Sequence, residues 1–277
     1  MNVLVTGGAG FIGTNLIRKL LDLGHYVYSI DNYTTGSEKN HQQGCTYFKN
    51  DIREVTNYSQ DFDVIFHLAA IARIQPSFDD PQNYFTTNVN GTLNLVEYCR
   101  TNDVPIIYAG TSSVHSGKFK NPYTFSKDVA EDVLKLYQDH YNLKCSIARF
   151  YNVYGDYELT EGTHTTLIGR WIHNIKNNIQ CEIYGDGEQR RDFTNVHDIV
   201  DALVRIMDQQ AYGYSFELGR GQNFSVNDIA KMFNLDVIYK NKKKGEARNT
   251  LSTDTTAKDV LGWIPTKNVE DYIKTKI

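Results

Sequence analysis

Cysteine is scarce in this chain and is not arranged in pairs. The four cysteines, Cys45, Cys99, Cys145 and Cys181, stand far apart among 277 residues, and none belongs to a CxxC motif. Disulfide-stapled domains and zinc ribbons need closely spaced cysteines, so this pattern argues against both. We therefore expect free thiols, no metal site and a reducing, cytoplasmic location.

An excess of basic residues and long hydrophobic runs are also missing. The 29 Lys and Arg residues are outnumbered by 33 Asp and Glu residues, which argues against a nucleic-acid surface. No apolar run approaches the roughly 20 residues of a membrane-spanning helix. The apolar N-terminus is too short for a signal peptide and lacks a basic lead. We expect a globular protein with no nucleic-acid or membrane partner, and its 40% hydrophobic content is enough for a large core.

The first thirteen residues carry the strongest local signal. An apolar run at residues 3–5 predicts a buried strand, and Gly7, Gly10 and Gly13 follow it at intervals of three. These glycines would permit a tight turn, the approach of a pyrophosphate, and close packing of helix on strand. A helix is predicted after Gly13 because apolar residues recur there at helical spacing: Leu16, Ile17, Leu20 and Leu21. The helix N-terminus would offer free N–H groups to phosphates.

A second predicted strand, residues 25–30, ends in Asp31. An acid at this position, about twenty residues after the glycines, suits the ribose diol of a dinucleotide. Asp31 would repel a 2′-phosphate, and no Lys or Arg follows before Lys39. The unit therefore predicts NAD rather than NADP as the cofactor.

Strands and helices alternate through residue 150, which predicts an α/β fold with a doubly wound parallel sheet. We assign residues 1–150 to an NAD-binding Rossmann domain. Residues 151–277 would form a smaller, interleaved α/β domain for the substrate, since no linker marks a boundary. The apolar helix predicted near residues 198–207 is expected to return to the first domain.

Two further helices are predicted at residues 81–100 and 121–141, the second with Asn121 as N-cap and Pro122 in its first turn. This second helix carries two apolar stripes, and a sheet can cover only one of them. We expect a second subunit to cover the other, giving a homodimer through both helices. The stripes are Val129, Val133 and Leu136, and Ala130, Leu134, Tyr137 and Tyr141.

Candidate catalytic residues lie on the second of these helices and just before it. Tyr123 and Lys127 are four residues apart and so share a helix face. A lysine ammonium favours the phenolate form of a nearby tyrosine, which makes Tyr123 a candidate base. Thr111 and Ser112 directly follow a predicted strand, where ligands bind in parallel sheets. Their hydroxyls could bind a substrate hydroxyl or carbonyl, although turn chemistry explains the same residues.

Nearly the whole chain resembles the NAD-dependent epimerase/dehydratase family of extended short-chain dehydrogenase/reductases. These enzymes act on nucleotide sugars, and the likeness is greatest to UDP-hexose and UDP-N-acetylhexosamine 4-epimerases. Besides the glycines and Tyr123…Lys127, the motifs are Asp31-Asn32, Asp51-Ile52, His67-Leu68-Ala69-Ala70, Asn88-Val89-Asn90-Gly91-Thr92, Arg149-Phe150-Tyr151-Asn152, Tyr184-Gly185-Asp186-Gly187, Arg191-Asp192-Phe193 and Leu261-Gly262-Trp263.

The resemblance implies roles for individual residues. Thr111, Tyr123 and Lys127 would be catalytic, and Ser112 would lie near the sugar. Asn152 and Arg191 would hold the substrate diphosphate, and Lys243 stands where related epimerases carry an arginine near the phosphates. NAD would be held by Gly7, Gly10, Phe11, Ile12, Gly13, Asp31, Asn32, Asp51, Ile52, Leu68, Ala69, Ala70, Asn88, Tyr123 and Lys127.

The same resemblance narrows the reaction to 4-epimerisation. Related 4,6-dehydratases follow the threonine with Asp-Glu, decarboxylases carry a glutamate nearby, and 4-keto reductases a cysteine, whereas this chain has Ser112-Ser113. These three reactions remain the main alternative, and a non-catalytic NAD-binding regulator is the second. The regulator is disfavoured because Tyr123 and Lys127 are both present.

Two departures from the family pattern concern the sugar and its surroundings. The stretch from Thr111 to Tyr123 is shorter than usual, and His115 replaces a tyrosine, which we interpret as packing. Thr250 falls at a position that lines the sugar pocket in related epimerases, where a small residue admits an N-acetyl group. We therefore expect UDP-N-acetylglucosamine and UDP-N-acetylgalactosamine as substrates, beside UDP-glucose and UDP-galactose.

Overall fold

The computed structural model describes residues 1–54 and 60–277. Its strands are β1 (Asn2–Thr6), β2 (Tyr26–Asp31), β3 (Cys45–Lys49), β4 (Val64–His67), β5 (Ile106–Thr111), β6 (Cys145–Phe150), β7 (Cys181–Tyr184), β8 (Arg190–Asp192), β9 (Ser215–Leu218), β10 (Asn223–Ser225) and β11 (Val237–Lys240). The helices are α1 (Phe11–Asp22), α2 (Ile74–Asp79), α3 (Pro81–Phe85), α4 (Gly91–Asn102), α5 (Pro122–Tyr141), α6 (Leu167–Lys176), α7 (Val196–Asp208), α8 (Val226–Met232), α9 (Thr256–Leu261) and α10 (Val269–Lys274).

The central sheet has seven strands in the order β3-β2-β1-β4-β5-β6-β9, and every pairing is parallel. It is wound on both faces, because side chains alternate along each strand. On β1, Val3 and Val5 belong to one core with α1 and α7, and Leu4 belongs to the other with α4 and α5. The predicted doubly wound α/β fold is confirmed.

The seventh strand comes from far along the chain. Strand β9 (Ser215–Leu218) pairs with β6, although the sequence analysis places this stretch in the second domain. Helix α7 packs against α1 with Ile199, Leu203 and Ile206 fully buried in the shared core. Other buried residues after 150 build a separate core, which includes Trp171, Phe193 and Val226, whereas Leu261 and Trp263 belong to the core shared with α1. Helix α7 and strand β9 therefore join the sheet and the core that residues 1–150 begin, although they follow those residues in the chain.

The two helices predicted at residues 81–100 and 121–141 differ in regularity. Helix α5 begins and ends where it is predicted, and the Asn121 side chain accepts a hydrogen bond from the Thr124 N–H at 2.7 Å. The first helix is broken instead into α3 and α4 by a π-helical turn over Thr86–Asn90. Such turns often mark functional sites, and this one contains Asn88.

Candidate active site

Two adjoining clefts open at the carboxyl ends of the parallel strands. The first has a volume of about 420 Å³ and is lined by the glycine loop, Asp31, Thr111 and Tyr123. The second has about 790 Å³ and is lined by elements of the second core. They meet at a shared wall that includes Asn152 and Arg191. This edge of a parallel sheet is where ligands bind in open α/β folds.

Steric requirements explain two of the three motif glycines. Gly7 has φ +72°, and a Cβ there would lie 2.9 Å from the Ala69 backbone. A Cβ on Gly13 would lie 2.2 Å from the Gly7 carbonyl oxygen. A Cβ on Gly10 would meet only that oxygen, at 3.2 Å. The loop and the start of α1 therefore form a cradle of backbone that suits a pyrophosphate.

Asp31 ties this cradle to the end of β2. Its carboxylate accepts hydrogen bonds from the Ala9 N–H at 3.0 Å and the Tyr33 N–H at 2.8 Å. Burial raises the pKa of Asp31, against the effect of these two bonds. The carboxylate also lines the first cleft. An acid held in this way fits a ribose diol and disfavours a phosphate.

Tyr123 and Lys127 lie together in the wall of the first cleft, as their spacing on α5 predicts. Burial raises the pKa of Tyr123, and the hydroxyl of Thr111 and the charge of Arg73 act in the opposite direction. Lys127 is 3% exposed, and its Nζ lies 4.0 Å from the centre of the Tyr108 ring. Burial lowers the pKa of Lys127 to about 7. The ammonium makes no hydrogen bond or ion pair within the described chain, which leaves it free for a ligand in the cleft.

Lys127 is expected to make the stability of the ligand-free protein depend on pH. Its folded-state pKa of about 7 lies below its ordinary value of 10.5. Between these values the unfolded chain binds more protons, so the lysine's destabilising effect, full below pH 7, declines as pH rises. Lys127→Met should therefore raise the free energy of unfolding most at pH 6.5 and least at pH 10, measured by urea denaturation.

The matched control is Lys135→Met, which removes a lysine on the exposed side of the same helix. It removes no buried charge, so it should not reproduce the pH-dependent gain. An equal gain for Lys127→Met at both pH values would contradict the expectation.

A buried charge network supports the helix behind Lys127. Glu131, one turn further along α5, pairs with Arg149 at 2.6 Å, and Arg149 pairs with Glu217 at 2.7 Å. Glu217 also accepts a hydrogen bond from Tyr151 at 2.8 Å and lies 2.8 Å from His115 Nε2. The pKa of His115 is raised chiefly by this contact. His115 therefore serves structure in this network.

The wall shared by the two clefts brings the predicted phosphate-binding residues together. Asn152 donates to the Asp192 carbonyl at 3.1 Å and to the Thr250 hydroxyl at 3.3 Å. Arg191 lies 3.4 Å from Glu246. Lys243 belongs to the second cleft, where its Nζ lies 3.6 Å from the centre of the Tyr184 ring. Both cations thus line the second cleft, and Arg191 also lies in the wall shared with the first.

Most residues assigned to NAD or substrate from sequence line the first cleft, but two cofactor assignments do not coincide with its wall. The Asp51 carboxylate pairs with Arg53 at 2.7 Å and accepts from Asn32 at 2.8 Å. Asn88 is buried and holds the loop after β4, exchanging hydrogen bonds with both backbone groups of Ile71. The lining residues are Gly7, Gly10, Phe11, Ile12, Gly13, Asp31, Asn32, Ile52, Leu68, Ala69, Ala70, Thr111, Ser112, Tyr123, Lys127, Asn152, Arg191 and Thr250.

Sequence reasoning missed Arg73, His164 and Glu246, which also line this cleft. The signal for Arg73 was its position in the loop that follows β4, at the ligand-binding edge of the sheet. Within the described residues, no group of three or more His, Cys, Asp and Glu side chains is placed to hold a metal ion. No described helix has the length and hydrophobicity to cross a membrane.

Comparison with known proteins identifies this arrangement. A sequence profile of the NAD dependent epimerase/dehydratase family matches residues 3–219. The chain belongs to this family. NAD, the cofactor predicted from Asp31, is the cofactor of the epimerase/dehydratase family, and the predictions of the family and of an enzyme are confirmed.

Relatives within the epimerase/dehydratase family cover nearly the whole chain. A putative UDP-glucose 4-epimerase of Methanocaldococcus jannaschii is 30% identical over 98% of this chain and 96% of its own length. A UDP-N-acetyl-alpha-D-glucosaminuronate decarboxylase of Bacillus cytotoxicus is 30% identical over 82% of this chain and 78% of its own. The crystal structure of the UDP-glucose 4-epimerase of Thermotoga maritima with UDP-glucose is 28% identical, with a TM-score of 0.92, covering 100% of this chain and 97% of that one.

Proposed function

We propose that the chain is a UDP-sugar 4-epimerase that inverts the configuration of a hexose at C4. The observation that carries the proposal is the grouping of Thr111, Tyr123 and Lys127 in one cleft. The neighbouring cleft supports a UDP-linked substrate, because its walls supply cations for a diphosphate. Ser112 also lines the first cleft, at the position where related dehydratases carry an acid.

Each residue of the group has a defined task in this proposal. NAD, when bound, supplies the hydride acceptor and donor for C4. Tyr123 acts first as general base and removes the proton of the C4 hydroxyl. After the 4-keto sugar has rotated to present its other face, Tyr123 acts as general acid and returns the proton. Thr111 hydrogen-bonds the same oxygen, and Lys127 stabilises the phenolate by its charge. The glycine loop would hold the pyrophosphate of the cofactor, and Asp31 would hold its ribose diol.

The test is incubation of the purified protein with NAD and a panel of UDP-sugars, without any other electron acceptor. Interconversion of C4 epimers with no net change in NADH is expected, observed by chromatography and absorbance at about 340 nm. Net NADH formation, or a dehydrated product, would show a different reaction of the family.

A second candidate function is decarboxylation of a UDP-linked uronate. The decarboxylase of Bacillus cytotoxicus supports it, since that relative has the same 30% identity to this chain as the putative UDP-glucose 4-epimerase of Methanocaldococcus jannaschii, although over 82% rather than 98% of the chain. Oxidation of a uronate at C4 creates a β-keto acid, which can lose CO₂. Release of CO₂ from a uronate in the same panel would therefore favour this reaction over epimerisation.

We further propose that the chain forms a homodimer through α4 and α5. Leu93 on α4 and Leu136 and Tyr141 on α5 are exposed, by 37%, 52% and 54%, whereas Ala130 and Leu134 of α5 are buried in the core. An exposed apolar stripe on adjacent helices suits burial against a second copy.

Sedimentation at micromolar concentration tests this assembly. The wild type is expected as a dimer, and Leu136→Glu should shift it towards the monomer because it places a charge in the contact. Leu23→Glu is the matched control, since Leu23 is similarly exposed, by 46%, at the end of α1. A monomeric wild type would contradict the proposal.

A further inference from the structure

Arg73 projects into the active-site region without a partner for its charge. It belongs to the loop between β4 and α2, and it lines both clefts. Its Nε donates a hydrogen bond to the His164 carbonyl at 2.9 Å. For the two terminal amines, the described part of the chain provides neither a hydrogen-bond acceptor nor a carboxylate within 4.0 Å. Arg73 is only partly exposed, and a guanidinium without an anionic partner in such a place is well suited to bind an anion that enters the clefts.

The protein holds Arg73 in an unfavourable backbone conformation to achieve this placement. Its φ is +97° and its ψ is 138°, a region that side-chain-bearing residues rarely occupy. The Tyr84 hydroxyl fixes the loop by donating to the carbonyls of Ala72 and Arg73 at 3.1 and 3.0 Å. His164 Nδ1 lies 2.9 Å from the same Ala72 carbonyl. Strain of this kind persists where the surroundings enforce it, and it concentrates at ligand sites.

The nearby acid does not neutralise Arg73. Glu158 is buried and is engaged by the hydroxyls of Thr166 at 2.5 Å and Tyr272 at 3.4 Å. Burial raises the pKa of Glu158 to about 7, so this group is not fully ionised at neutral pH. Burial lowers the pKa of Arg73, and the charges of Tyr123 and Glu158 oppose this effect only in part. A ligand in the clefts can therefore supply the anion that Arg73 lacks.

The position of Arg73 separates it from the cations assigned to the diphosphate. Its charge acts on Tyr123, the proposed base, and the Tyr84 ring that fixes its loop packs edge-on against the Tyr123 ring at 6.2 Å. Arg191, in contrast, faces Glu246, and Lys243 lies on Tyr184 in the second cleft. Arg73 therefore lies at the reacting end of the site. In a hexose, C6 is attached to C5, the direct neighbour of C4, so a C6 substituent would fall beside Tyr123.

We infer that Arg73 binds the C6 carboxylate of a UDP-linked hexuronate, which makes a uronate the preferred substrate. The inference rests on the proposed function for the presence of a UDP-sugar at this site. A guanidinium matches a carboxylate in shape and charge, and two parallel N–H···O bonds are available from its free amines. The space beside Thr250 concerns a different substituent of the sugar, so an N-acetyl group is compatible with the carboxylate.

Binding measurements on the NAD-loaded protein test the inference. Calorimetry should compare UDP-glucuronate, UDP-glucose and UDP. The wild type is expected to bind UDP-glucuronate more tightly than UDP-glucose by a factor on the order of 10 to 100, the effect of charge-assisted hydrogen bonds. Arg73→Gln should remove this preference and leave the affinities for UDP-glucose and UDP unchanged. Arg73→Lys should keep part of it, because the charge remains without the paired geometry.

Arg73→Gly is the control for an effect of the substitution on folding. Glycine relieves the unfavourable φ, so this variant should be at least as stable as the wild type and should still lose the preference. An equal loss of affinity for all three ligands would overturn the inference, since Arg73 would then serve the diphosphate. Equal affinity of the wild type for UDP-glucuronate and UDP-glucose would also overturn it.

Turnover measurements separate a failure of the Arg73 assignment from a failure of the proposed epimerase function. A wild type that prefers UDP-glucuronate but forms no C4 epimer retains the Arg73 assignment and loses the epimerase assignment. Formation of C4 epimers from UDP-glucose, with no preference for the uronate, retains the epimerase assignment and overturns the Arg73 assignment. Failure of all three ligands to bind would overturn both.

Discussion

Tyr123→Phe should lower kcat by roughly 10²–10⁴-fold, the usual contribution of a general acid–base group. The substitution removes one hydroxyl and keeps the ring that packs against Tyr84, so the fold and the affinity for NAD should be retained. The KM for the sugar should change little, because the lost hydroxyl acts in the transition state of proton transfer rather than in substrate binding. Steady-state rates with the best UDP-sugar of the panel provide the measurement.

Tyr108→Phe is the matched control for this experiment. Tyr108 is also buried, and its ring lies directly under Lys127 on the neighbouring β5. Its loss of a hydroxyl should leave kcat within a few-fold of the wild type. If Tyr123→Phe behaves like Tyr108→Phe, another group transfers the proton. Thr111→Val should cost less than Tyr123→Phe, since it deletes one hydrogen bond.

Gly13→Ala should abolish NAD binding and destabilise the protein as well. The new Cβ would lie 2.2 Å from the Gly7 carbonyl oxygen and 2.7 Å from the Gly8 Cα, and these backbone atoms cannot move without displacing the loop or α1. Overpacking of this kind costs on the order of 1–3 kcal/mol in folding free energy. Urea denaturation and calorimetric titration with NAD measure the two effects.

Gly10→Ala separates the two effects. Gly10 has φ −84°, which any residue adopts, and its Cβ would meet only one atom at 3.2 Å. This variant should keep nearly the full stability and still bind NAD more weakly, because its methyl group stands where the pyrophosphate approaches the backbone. Normal NAD affinity for Gly10→Ala would show that the pyrophosphate takes another route, and a stable Gly13→Ala would refute the packing argument.

Local signals in the sequence were sufficient for much of the fold. The end of helix α5 at Tyr141 and its cap at Asn121 were predicted because capping depends on adjacent residues alone. Strand β1, the glycine turn and the place of Asp31 at the end of β2 were also predicted, because each depends on residues close together in the sequence. The π-helical turn at Thr86–Asn90 was missed, since a helix-compatible sequence does not reveal a single irregular turn.

Long-range pairing and the placement of loop charges explain what sequence reasoning did not reach. Strand β9 has only four residues, Ser-Phe-Glu-Leu, and nothing in them specifies β6 as its neighbour. Arg73 follows a recognisable motif, but a lone arginine in a loop reads as a solvated surface residue. Only the folded chain shows that its loop turns inward beneath Tyr84 and His164.

The late arrival of β9 has a consequence for how the protein is made. A ribosome releases β6 well before β9, with residues 151–214 between them, so the nascent sheet has an unpaired edge along β6 during that interval. Helix α7, which seals the face beside α1, emerges in the same interval. Open edges and uncovered apolar faces promote association between incomplete chains. A nascent chain halted after residue 150 is therefore expected to need protection by a chaperone, and the sheet gains its seventh strand only after residue 218 has been made.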